Sequence, residues 1–183
     1  GDIEPPKVKE RLYVKSSGAV KKSGYVKDRA NFIANSAYVI KKLQLPWNET
    51  AIEEQYGIAV RNNDNKMQLV FRIADNHIKR HKGEQFGDAE CKIYPELSNI
   101  KPDSTLLICE GEKDAISAAC YGFPAITFTS GANGIPKDLS MLDDYNKIAI
   151  CYDNDESGRK GAKKLANALY HADRNIKIVE LDT

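Results

Sequence analysis

TLLICEGEKDAISAACY, residues 105–121, decides the fold. Its first five residues form a continuous apolar run of strand length, and Glu112–Tyr121 reads as a helix behind an acidic, glycine-containing break. An apolar strand that feeds directly into a helix opens a parallel strand-helix-strand unit rather than an antiparallel hairpin. The rhythm continues downstream. Pro124–Phe128 (PAITF) reads as the next strand, Asp138–Tyr145 as a short helix, Lys147–Tyr152 (KIAICY) as a third strand and Ile176–Leu181 (IKIVEL) as a fourth. Before that last strand, Ala162, Leu165, Ala166 and Leu169 fall at i, i+3, i+4 and i+7, the stripe of a long amphipathic helix. The expected fold class is α/β, with a central, mainly parallel four-stranded sheet flanked by helices across residues 102–183.

Upstream the pattern changes. Residues 1–27 combine Pro5, Pro6, Ser16, Ser17, Gly18, Ser23 and Gly24 with many cations and are expected to form a flexible basic segment. Residues 28–101 read as a small, basic α+β subdomain. Ile33, Ala37 and Ile40 recur at helical spacing between Asp28 as a cap and Pro46 as a stop, and Asn48 or Thr50 caps a second short helix ending at Tyr56-Gly57. Met67–Ala74 (MQLVFRIA), the turn Asp75-Asn76 and His77–Lys82 then read as a hairpin.

The apolar fraction of 42% suffices for a core, and no run approaches the roughly 18 to 20 apolar residues of a membrane span. With no secretion signal at the start of the sequence, a cytoplasmic location and no membrane partner are expected. Lys and Arg number 27 against 26 acids, so net charge alone makes no case for nucleic acid. Its distribution does more, because a basic cluster runs through Arg72, Lys79, Arg80, His81 and Lys82. Cys91, Cys109, Cys120 and Cys151 have no paired spacing, so neither zinc nor a disulfide is expected. His77, His81 and His171 share no ligand-like spacing and are read as structural or solvent-facing.

In open α/β sheets ligands collect at the carboxyl ends of strands. Two of those ends are acidic here: Glu110-Gly111-Glu112-Lys113-Asp114 after the first strand and Asp153-Asn154-Asp155-Glu156 after the third. If the two strands are neighbours, Glu110, Asp153 and Asp155 converge, and unpaired carboxylates at close quarters repel unless a cation bridges them. Mg²⁺ or Mn²⁺ is the expected cofactor, and chemistry at phosphate the expected use. Gly111 and Gly158 would permit close backbone approach, and Gly131, in the loop Thr129–Gly134, would turn backbone amides toward phosphate. Arg72, Lys79, Arg80, Lys82 and Lys92 are candidates for contacting template or nucleotide phosphates, and Lys113 for a phosphate or for offsetting carboxylate charge.

LLICEGEKDAISAACYGFPAITFTSGANG and KIAICYDNDESGRKGAKKLANAL together resemble the TOPRIM domain shared by primases, topoisomerases and some nucleases. Within it, EGEKDAIS and YDNDESGRKGA are similar to the versions in bacterial and phage primases, especially the primase-helicases of phages and mobile elements. The resemblance implies that Glu110, Asp153 and Asp155 bind the catalytic metal ions, with Asp114 a further acidic position. It implies a primase-type nucleotidyltransferase that makes RNA primers on single-stranded DNA from nucleoside triphosphates, beside a replicative helicase in cis or in trans. A metal-dependent nuclease or topoisomerase-related component, or a non-catalytic replication module that binds nucleic acid, are the alternatives. Such primases usually carry a zinc module, which either lies outside this chain or is lacking in this family member; no nucleotide-hydrolysing P-loop occurs in this sequence, so any helicase is expected outside the chain, which reads as a fragment or a stand-alone core.

Overall fold

A computed structural model describes residues 32–33, 36–44, 56–63, 66–75, 77–81, 85–87, 90–170 and 173–180. The chain divides into two compact units, residues 1–89 and 90–183. The expected flexible segment, residues 1–27, lies outside the described residues, as do Lys82 and His171.

The N-terminal unit is an antiparallel sheet of β1 (Phe32–Ile33), β2 (Ile58–Asn63), β3 (Lys66–Ala74), β4 (His77–Arg80) and β5 (Gln85–Gly87), in that spatial order. The hairpin β3–β4 forms where the sequence places it, with a register shift between Arg72 and Ala74. The helix expected from Asp28 is shorter: α1 spans Ser36–Leu43, while Ile33 sits in β1, opposite Val60 of β2. Strand pairing therefore claims the first apolar residue of the helical pattern, and α1 buries Val39 and Leu43 rather than Ala37 and Ile40. Of the second expected helix only Tyr56 is described, and it is helical; Gly57 follows it with φ +59, where the sequence places the stop, and the rest of that helix lies outside the described residues. The residues after Gly57 then enter β2, which periodicity alone did not reveal.

The C-terminal unit contains β6 (Ile93–Tyr94), β7 (Leu106–Cys109), α2 (Glu112–Cys120), β8 (Ala125–Phe128), β9 (Lys147–Cys151), α3 (Glu156–Leu169) and β10 (Asn175–Ile178). Sheet order is β10-β9-β7-β8-β6. The four expected strands are parallel to one another, and β6 adds a fifth, antiparallel to β8. That pairing carries residues 90–101 with the C-terminal unit, whereas the sequence reading begins that unit at residue 102. Asp138–Tyr145 forms a single 3-10 turn, Ser140–Leu142, rather than a helix, because Asp138 Oδ1 accepts the Ser140 amide at 2.9 Å and closes a local turn.

Each strand of the parallel core presents alternate residues to opposite faces. Leu106 and Ile108 pack with Ile126, Phe128, Ile148 and Ile150 against Ala162, Leu165 and Leu169 of α3. Leu107 and Cys109 pack instead with Ala115 and Ala118 of α2. The sheet is thereby covered on both sides, which is why its strands read as unbroken apolar runs.

Arg174, just before β10, clamps the far end of α3. It donates to the carbonyls of Leu169 (3.1 Å) and Leu142 (3.0 Å) and reaches Asp143 at 3.3 Å. A cation at a helix carboxyl end also opposes the helix dipole. The Arg174→Met variant leaves both carbonyls without this donor and is expected to lose about 2 kcal/mol of stability, read from urea unfolding.

Candidate active site

Reversal of the chain about β7 builds the site. β8 lies on one side of β7 and β9 on the other, so the connections diverge and open a crevice between the carboxyl ends of β7 and β9. The two strands pair with Cys109 opposite Cys151, which brings Glu110 and Asp153 to the same edge. Glu110 Oε2 accepts the Asp153 amide at 3.1 Å. The fully buried Thr127 on β8 donates its hydroxyl to the Glu110 carbonyl at 3.0 Å. Both ends of Glu110 are therefore held, the carboxylate from the turn after β9 and the backbone from β8.

The turn Asp153–Asp155 is held from α3. Asp155 is the N-cap of that helix, its Oδ1 accepting the Gly158 amide at 2.7 Å. Gly158 presses against the site: a Cβ there would lie 2.1 Å from the Asp153 carbonyl oxygen and 2.9 Å from Glu110 Oε2. Asp114 stands exposed in the first turn of α2, its carboxylate folded back over Gly111. Beside Asp153 opens a cleft of about 160 Å³, walled by Tyr152, Asn154, Arg159, Lys163 and Val179 among others.

Burial, and then the charges of Asp153, Asp155 and Asp114, push the Glu110 carboxyl above its ordinary value, partly offset by the Asp153 amide. A carboxyl with a raised folded-state pKa ionises more readily in the unfolded chain, so its ionisation opposes folding. That cost is absent below the ordinary carboxylate pKa, develops as pH rises toward the folded-state value, and is complete above it. Glu110→Gln keeps an acceptor for the Asp153 amide and removes the charge. In chelator at pH 7 it is expected to melt about 1 to 3 °C higher than the parent, a gain reduced by solvent screening and vanishing below about pH 4.

The donors suit a hard divalent cation. Glu110, Asp153 and Asp155 offer carboxylate oxygens at one edge, and none is ion-paired among the described residues. Neighbouring thiols do not compete, since burial pushes Cys109 up to about 12 and raises Cys151 as well. As they stand, no three carboxylate, imidazole or thiol groups among the described residues are gathered closely enough to hold an ion. Glu110 and Asp153 are in contact, while Asp155 turns one oxygen to its helix.

The cationic candidates are dispersed. Cross-strand partners share a face, and so do alternate residues. Arg80 pairs with Val70 and Arg72 with Ile78, which puts the two arginines on one face of β3–β4 and Lys79, opposite Phe71, on the other. Arg72 Nη2 meets Asp75 at 2.6 Å, and the Arg80 guanidinium lies 4.5 Å from the Phe86 ring centre. Lys92 belongs to the C-terminal unit, where its amide donates to Thr129. Lys113 is half-buried in the first turn of α2. Gly131 adopts φ +66 in a 3-10 turn that packs on α3, where a Cβ at Gly161 would lie 2.3 Å from the Ala132 carbonyl oxygen. Sequence reasoning missed Thr127, Arg159 and Lys163. Arg159 stands six residues past Asp153 at the start of an amphipathic helix, which was the one available signal.

Residues 107–183 match the family model described as Toprim-like. The C-terminal unit is a Toprim-like domain. Over 72 residues the chain is 33% identical to a DNA primase of Campylobacter jejuni, covering 39% of this chain and 12% of that relative. The chain thus spans about an eighth of the curated relative it matches. Two solved structures share the fold. The primase fragment of the bacteriophage T7 primase-helicase matches at TM-score 0.56 and 16% identity, over 73% of this chain and 61% of that one. A DnaG primase catalytic domain bound to single-stranded DNA matches at TM-score 0.58 and 17% identity, over 81% of this chain and 64% of that one. Those matches exceed what the C-terminal unit alone, residues 90–183, can account for, so they include part of the N-terminal unit.

Proposed function

We propose that the chain is the catalytic core, or part of it, of a DNA primase that joins nucleotides on a single-stranded DNA template. The observation that carries this is the Glu110–Asp153 contact at the β7–β9 crevice of a Toprim-like domain whose curated relative is a DNA primase. Glu110, Asp153 and Asp155 would hold Mg²⁺ or Mn²⁺, with Asp114 close by. When bound, such a cation supplies activation of the primer 3′-hydroxyl and charge relief for the departing pyrophosphate. The chain's own part is to hold oxygen donors at fixed strand ends. Asp153's amide orients Glu110, Thr127 anchors the Glu110 backbone, and the α3 cap orients Asp155.

Arg72, Lys79, Arg80, Lys92 and Lys113 are proposed to contact template or triphosphate, aided by Lys82. The division of Arg72 and Lys79 between two sheet faces confines any one phosphate track to a subset of them. Nucleoside triphosphates and a replicative helicase, in cis or in trans, complete the proposed setting, with a phage or mobile-element origin and cytoplasmic location. Among the described residues no helix is long and apolar enough to cross a membrane. The test is incorporation of labelled nucleotide on single-stranded DNA with Mg²⁺ or Mn²⁺, by the chain and by its full-length parent. Template-dependent, chelator-sensitive product supports the proposal. Phosphodiester cleavage without nucleoside triphosphates would redirect it to a nuclease.

A further inference from the structure

Arg159 is the cation nearest in sequence to the acidic turn, yet among the described residues it pairs with neither Asp153 nor Asp155. Its Nη1 donates instead to the two oxygens of Asn154, the backbone carbonyl at 2.9 Å and the side-chain Oδ1 at 2.9 Å. Its backbone amide donates to the Asp155 carbonyl at 3.0 Å. One residue on the first turns of α3 therefore fastens the middle and the end of the Asp153–Asp155 turn. The Asp153 amide in that same turn is the donor that orients Glu110. Direct pairing with an aspartate would occupy a carboxylate and place positive charge where a divalent cation is to bind. Bonding to neutral oxygens fixes the turn and leaves both carboxylates open.

We propose that Arg159 is a positioning residue for the metal site: by holding Asn154 it restrains the turn from which Asp153 and Asp155 reach a divalent cation, without neutralising either. The inference rests on the metal-site reading above. Its sign separates it from simple electrostatics. Removing a nearby positive charge strengthens cation binding by Coulomb's law, whereas loosening the turn weakens it. Residues one shell behind a metal's ligands typically alter its affinity by about 10- to 100-fold.

The probe is Mn²⁺ binding to the full 183-residue chain, followed by the electron paramagnetic resonance signal of free Mn²⁺. Arg159→Met keeps the apolar stem and removes the donors. Lys160→Met removes the adjacent cation, which is exposed and bonded to Glu156 at 2.6 Å. Expected are a roughly tenfold weaker Mn²⁺ affinity for Arg159→Met, no weakening for Lys160→Met, and unchanged melting temperatures for both in chelator. Unchanged or tighter binding by Arg159→Met overturns the proposal, as does equal weakening by Lys160→Met. A parent chain that binds no Mn²⁺ instead overturns the metal-site reading, and the proposal with it.

Discussion

Gly158→Ala is expected to lower the melting temperature of the Toprim-like domain by about 5 °C or more and to impair divalent-cation binding together with it. In an ordinary helix interior the change is favourable by about 1 kcal/mol, because glycine is the poorer helix former. Here the new Cβ would stand 2.1 Å from the Asp153 carbonyl oxygen and 2.9 Å from Glu110 Oε2. The closer atom is backbone and cannot swing aside. Relief requires α3 to move outward or the Asp153–Asp155 turn to shift, and overpacking of this kind typically costs about 1 to 3 kcal/mol. Either movement disturbs the Gly158 amide bond to Asp155 and the Asp153 amide bond to Glu110. Differential scanning calorimetry and Mn²⁺ titration read the two effects. A variant that melts at or above the parent temperature with normal Mn²⁺ affinity would show that the helix is not seated as described.

Glu110→Gln and Asp153→Asn are each expected to cut nucleotide incorporation on the order of 10²- to 10³-fold. A metal ion that stabilises transition-state charge is worth several kcal/mol, and about 1.4 kcal/mol corresponds to a factor of ten. Both substitutions preserve shape and remove one negative donor. The Glu110 case carries an internal control. Burial and neighbouring carboxylates raise its pKa, so Glu110→Gln is expected to be at least as stable as the parent, and a loss of incorporation in a variant that melts no lower is not due to unfolding. Activity within threefold of the parent for both variants would falsify the assignment of these carboxylates to the metal.

Local features of this domain were legible because they depend on neighbouring residues. Apolar runs at Leu106–Cys109, Ala125–Phe128 and Lys147–Cys151 marked strands within a residue or two of their ends. The stripe through Ala162, Leu165 and Leu169 marked the buried face of α3. Elements whose existence depends on a distant partner were not legible. β6 has two residues and exists through its pairing with Phe128 and Thr127. β1 took Ile33 from a helical pattern because Val60 stood opposite it. Asp138–Tyr145 was read as a helix, but the Asp138 carboxylate accepts the Ser140 amide and closes a local turn instead.

The same division runs through the candidate site. By itself the sequence determined that carboxylates follow two apolar strands, since strand, break and helix are written in consecutive residues. That was enough to name Glu110, Asp153 and Asp155 and to expect a cation. The tertiary structure decided that β9 lies beside β7 rather than beyond β8, and this alone brings Glu110 to the Asp153 amide across 43 positions of chain. It also decided that Thr127 supports Glu110, that Arg159 holds Asn154 and that Arg174 closes α3. The physical reason is common to all of these. Periodicity and capping are properties of one segment, whereas strand order and side-chain hydrogen bonds are settled only when separate segments bury their surfaces together.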